Sequence, residues 1–158
     1  MQSALGLWRA SKIKKTYRKL SNDEAIGEEQ IMITLISKKY DGNIILNKGL
    51  DVETAELARN HLPAELLHIL EQSNGIEEGM VLPDTGKLEP VSWIIYSYEM
   101  IVEENEFFQN IYSVEGIVFS DDGAGNPYYI KDDGRIYCFE ACDDEEILAA
   151  DSLEEFFR

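Results

Sequence analysis

The chain is poor in the residue types that usually carry chemistry. It has two histidines and two cysteines in 158 residues. Cys138 and Cys142 have no second pair, so they form no zinc pattern; free buried thiols in a reducing compartment are expected. His61 and His68, with Glu65 three before the latter, lack the second Glu-x-x-His that a two-metal bundle needs. They read as one histidine at a helix start and one on a helix surface. Neither cysteine has a conveniently spaced histidine, and Ser120 lies between Phe119 and Asp121, not in a Gly-x-Ser-x-Gly elbow. No apolar run approaches the roughly 20 residues that cross a bilayer. Leu5, Leu7 and Trp8 give way at once to Arg9, Lys12, Lys14 and Lys15, unlike the apolar core of a secretory signal. A cytoplasmic protein is expected.

Basic residues are scarce too. Fourteen Lys and Arg face 31 Asp and Glu, a net charge of −17. Residues 1–50 carry a balance of +4 and residues 51–158 one of −21. So acidic a body repels phosphate backbones, which argues against direct nucleic-acid binding. It attracts basic proteins and speeds their encounter. Solubility alone is the plainer reading of the same charge.

What is present is enough for one ordinary domain: 44% hydrophobic residues and a length that buries a core without metals or disulfides. Ile13, Tyr17 and Leu20 have helical spacing among Lys and Arg, a basic amphipathic segment suited to pack on the acidic body or to act as a displaceable arm. Residues 1–29 are taken as this extension and 30–158 as the domain. The β-branched run from Ile31 to Ile36, the turn at Asp41-Gly42 and then Ile44–Leu46 favour a hairpin. A helix ending at Gly42 is the rival reading. Asp51 caps a helix through Ala58. Pro63 suits the first turn of the next, which buries Leu66, Leu67 and Leu70 and stops at Asn74-Gly75. Residues 76–92 read as loop. A strand at Trp93–Tyr96 precedes a helix capped by Ser97, with Tyr98, Ile101, Val102 and Phe108 near one face. Strands follow at Glu115–Ser120, Tyr128–Ile130 and Arg135–Phe139, joined by the Asp121–Asn126 loop and the Asp132-Asp133-Gly134 turn. Ser152 and Glu155 form a capping box for a closing helix.

The glycine-rich loop invites two further readings. As a calcium loop it has glycines at the third and fifth places and no Glu at the twelfth. As a dinucleotide loop it leads into Asn126-Pro127 and a strand, not a helix. The carboxylates are numerous, but nothing singles out a catalytic pair.

Several segments, taken in order, resemble the SUKH superfamily of Smi/Knr-type domains. They are Leu62-Pro63 to Leu70 with Ser73-Asn74-Gly75, Trp93–Phe108, Ile117–Phe119 with Asp122–Ile130, Arg135–Tyr137, and Ala150–Phe156. The resemblance covers about residues 51–158. It implies an α+β domain with a mixed, mainly antiparallel sheet flanked by helices, and no catalysis, cofactor or metal. Bacterial members look like immunity proteins that silence a cognate toxin, often a nuclease; fungal members resemble interaction hubs. The expected function is therefore a toxin-binding immunity protein. An interaction or scaffold module is the alternative, and a carboxylate-dependent hydrolase stands behind both. Candidate contacts for a basic toxin are Asp121, Asp122, Asp132, Asp133, Asp143, Asp144, Glu145 and Glu146.

Overall fold

A computed structural model describes residues 31–158; the basic segment at 8–20 lies outside the described residues. In chain order the elements are α1 (Ile31–Lys39), β1 (Ile44–Leu46), α2 (Val52–Arg59), α3 (Ala64–Gln72), β2 (Ile76–Val81), β3 (Leu88–Ile95), α4 (Tyr98–Tyr112), β4 (Ile117–Asp121), β5 (Pro127–Ile130), β6 (Ile136–Glu140), β7 (Glu145–Ala150) and α5 (Leu153–Phe156). The fold is α+β. Its strands pair antiparallel in two sheets, β1-β2-β3 and β4-β5-β6-β7, in line with the mainly antiparallel α+β arrangement that the resemblance implied.

The two sheets meet at the end of β3. The Tyr96 N–H donates to the Phe119 carbonyl at 2.9 Å. Phe119 is the extra residue of a bulge, since Val118 pairs with Tyr129 and Ser120 with Tyr128. On the same edge of β4, Asn105 from α4 takes the place of a strand. Its Oδ1 accepts from the Val118 N–H at 2.9 Å, and its Nδ2 donates to the Val118 carbonyl at 2.8 Å and to the Ile101 carbonyl at 2.7 Å. An edge that would otherwise offer unpaired backbone is thereby closed.

Neighbouring tyrosines aim the core in two directions. Tyr128 and Tyr129 point to opposite faces of the sheet, as successive strand residues must. Phe156 of α5 packs edge-on to Tyr128 and Phe119. Tyr112 of α4 packs on Phe139, which shares its face with Tyr137 and Tyr129. α4 and α5 therefore cover opposite faces. Ile33, Ile36, Leu66, Leu70, Ile76 and Ile95 extend the core beneath the first sheet.

Several expectations change. The hairpin at Ile31–Leu46 is corrected: Ile31–Lys39 is a helix, and β1 pairs with β2 instead. Ile33 and Ile36 are three apart and both buried, so packing of a helical stripe outweighs β-branched propensity. Gly42 closes this helix, its N–H donating to the Ser37 carbonyl at 2.7 Å. Residues 76–92 are mostly the β2–β3 hairpin, not loop. Gly79 and Pro90 stand opposite each other in the ladder, and a Cβ on Gly79 would lie 2.4 Å from the Leu88 side chain. Pro63 is the N-cap of α3, one residue before the first turn; the helix ends at an extended Ser73, and the left-handed residue is Gly75 (φ +88°). A Cβ on Gly75 would meet the Trp93 ring at 2.6 Å, so only glycine fits. Val102 faces outward, and Cys142 is exposed while Cys138 is half-buried.

Replacing Asn105 with Ala strips both partners from the backbone of the fully buried Val118. At about 1–3 kcal/mol for each of the two buried groups left unpaired, the expected loss of stability is about 2–6 kcal/mol. Urea denaturation checks this, with the exposed Gln109→Ala on the same helix changing stability by less than about 0.5 kcal/mol.

Candidate partner-binding surface

The β4–β5 loop is held in shape by its own carboxylates. Asp121 accepts from the Tyr96 hydroxyl and, at 2.6 Å, from the Gly123 N–H. Asp122 accepts from the backbone of Ala124 and Asn126 at 2.8 and 3.0 Å and from the Asn126 amide at 2.8 Å. Burial pushes the Asp122 carboxyl upward, but the Asn126 and Ala124 donors outweigh it and hold the group below its ordinary range.

Antiparallel strands then sort the loops. The β4–β5 loop and the β6–β7 turn lie at one end of the sheet, tied by a 3.1 Å hydrogen bond from the Ala141 N–H to Asn126 Oδ1. The β5–β6 turn lies at the other end. Asp121, Asp122, Asp143, Asp144 and Glu145 are thus brought together, while Asp132 and Asp133 are not. Asp133 accepts from the Arg135 N–H at 3.0 Å and shapes its own turn.

The acidic run from Asp143 to Glu146 is not all loop. Asp143 and Asp144 form a turn, Asp144 in the left-handed region (φ +52°), and Glu145 and Glu146 open the edge strand β7. Glu146 turns inward to accept from the Tyr129 hydroxyl and the Lys131 ammonium. Burial pushes its carboxyl up, and these two donors bring it below the ordinary range. Asp132, Asp143, Asp144 and Glu145 are exposed and make no side-chain hydrogen bond or ion pair with another described residue. Four of the eight candidates are therefore committed to the fold, and four are open to a partner.

Three acidic residues of this end were missed in the sequence. Glu140 stands directly opposite Glu145 in the ladder, a like-charge pair that adds to the field. Glu104 of α4 lies near Asp121, and Glu103 precedes it. Burial first, then Asp121 and Glu103, hold the Glu104 carboxyl above its ordinary range. The signal in the sequence was α4 itself: Glu99, Glu103, Glu104 and Glu106, with no Lys or Arg.

Cys138 is pushed up to about 11 by burial, then by Asp122 and Glu140, so its thiol is protonated at neutral pH. Among the described residues Glu77 is the one buried carboxylate, and no group of three or more His, Cys, Asp or Glu is placed to hold a metal ion. An open groove of about 360 Å³ beside α4 is lined by His61, Leu62, Ile101, Val102 and Ile117 with a single carboxylate, Glu106. No described helix is long and apolar enough to cross a membrane.

The sequence model of the SMI1 / KNR4 family (SUKH-1) matches residues 51–158. The chain belongs to that family. The match takes in α2 through α5, hence both acidic loops of the sheet end; α1 and β1 precede it, yet β1 completes the first sheet by pairing with β2. No curated protein and no solved structure matches the chain.

Because Glu104 has a raised folded pKa, its charged form costs stability above that pKa, and the cost is lost as pH falls through it toward the unfolded value. Glu104→Gln is expected to raise the thermal midpoint at pH 7. The gain should be under about 1 kcal/mol, because the carboxylate is largely solvated. It should vanish near about pH 4. Melting curves of both forms across that range check the sign.

Proposed function

We propose that this SMI1 / KNR4 family member is a cytoplasmic immunity protein that binds and neutralises a cognate polymorphic toxin, a basic nuclease domain being the best electrostatic fit. One observation carries this reading: the β4–β5 loop and the β6–β7 turn place Asp143, Asp144 and Glu145, three carboxylates without side-chain partners among the described residues, at the same end of the sheet as Asp121 and Asp122. A basic toxin surface approaching this end gains a steered encounter. Its own active site, built to hold nucleic acid, is the surface most attracted. Inhibition by occlusion asks nothing of the immunity protein but shape and charge.

The triple variant D143N/D144N/E145Q removes three charges and no hydrogen bond of the described fold. Stopped-flow association with the cognate toxin, first captured with the full-length protein as bait, is expected to slow about 3- to 10-fold at low salt, with a flatter dependence on ionic strength. The thermal midpoint should not fall, and should rise slightly as Glu145→Gln relieves its repulsion with Glu140. An unchanged association rate would remove the electrostatic basis of the reading.

A further inference from the structure

The outer surface of α4 is apolar and acidic at once, and no described element covers it. Val102, Phe107 and Ile111 are 48%, 51% and 54% exposed. Phe107 and Ile111, four apart, follow one another along a flank that also carries Glu103, while Val102 lies beside Glu99 and Glu106 and borders the 360 Å³ groove. Large apolar side chains rimmed by charge of one sign are the composition of a contact surface.

We propose that this face of α4 is occupied by residues 8–20 of the same chain. That segment holds Arg9, Lys12, Lys14, Lys15, Arg18 and Lys19 and no acidic residue, interleaved with Trp8, Ile13, Tyr17 and Leu20. It is the chain's one basic block: residues 31–158 hold eight Lys and Arg against 27 Asp and Glu. The complement is two-fold, apolar against apolar and six cations against the four carboxylates of α4. Reach is sufficient. Residues 21–30 separate Leu20 from α1, and ten residues extend to about 35 Å, more than twice the roughly 14 Å radius of gyration of a domain this size. Tethering sets the local concentration of the segment near the millimolar range, so individually weak contacts suffice to keep it docked. The contact is one between exposed charges, so it weakens as salt shortens the screening length. It covers α4 and leaves the β4–β5 and β6–β7 loops free. It shares Glu103 and Glu104 with the acidic end of the second sheet, so the test reads cross-links to α4 in the protein alone, with no toxin present.

Zero-length carbodiimide coupling of lysine to carboxylate in the full-length protein tests it. The coupling is run at low salt and at about 0.5 M salt, and the products are mapped by mass spectrometry. A mixture of isotope-labelled and unlabelled chains identifies links between molecules. The expected result is intramolecular links from Lys12, Lys14, Lys15 or Lys19 to Glu99, Glu103, Glu104 or Glu106. They should fall several-fold at high salt and in the variant F107S/I111S, whose cooperative thermal unfolding confirms that the domain stays folded. Links spread over the other carboxylates, links between labelled and unlabelled chains, or no links from these lysines would each overturn the proposal.

Discussion

The open edge of β4 is the constraint on which the rest of the structure depends. Val118 and Phe119 present an N–H and two carbonyls with no strand alongside. A buried backbone group left unpaired costs as much as a lost hydrogen bond. Asn105 answers both groups of Val118, and the Tyr96 N–H answers Phe119. These few bonds join the first sheet, α4 and the second sheet. They also place Tyr96 so that its hydroxyl reaches Asp121, which fixes the start of the acidic loop. The position of the candidate surface thus follows from how one strand edge is closed.

The same economy divides the carboxylates. Asp121, Asp122, Asp133 and Glu146 accept hydrogen bonds that shape loops or tie strands, so their charge is partly spent inside the molecule. Asp143, Asp144, Glu145 and the opposed Glu140 have no such return in the fold. Like charges held across a ladder cost stability when nothing faces them, and they favour a cationic partner that relieves the repulsion.

Features encoded by short-range hydrogen bonds were legible in the sequence. Asp51 caps α2 through the Thr54 N–H, Ser97 caps α4 through Met100, and Ser152 with Glu155 brackets α5, Glu155 reaching the Asp151 N–H. The meander from β4 to β6 was readable for the same reason, its turns being written in Gly, Asp and Asn. Elements whose state is decided by distant partners were not. The Ile31–Lys39 segment has strand propensity but a helical stripe to bury. β2 and β3 contain a glycine and a proline that only their mutual pairing accommodates. β7 opens with two glutamates tolerated because the strand is an edge. At the candidate site, composition named eight acidic residues. Separating Asp132 and Asp133 from the others required knowing that successive loops of an antiparallel meander alternate ends. The roles of Glu104 and Glu140 required knowing which strand and helix lie beside the loop.

The central claim is that the acidic end of the second sheet binds a basic protein. Hydrogen–deuterium exchange of the full-length chain, with and without the basic protein captured with it as bait, tests this most directly. The account predicts slowed exchange in the β4–β5 loop at residues 121–126 and in the β6–β7 turn at residues 140–145, with the β5–β6 turn at residues 131–135 unchanged. Protection confined to the β5–β6 turn, or no protection at the 121–126 and 140–145 loops in a complex that forms, would contradict it.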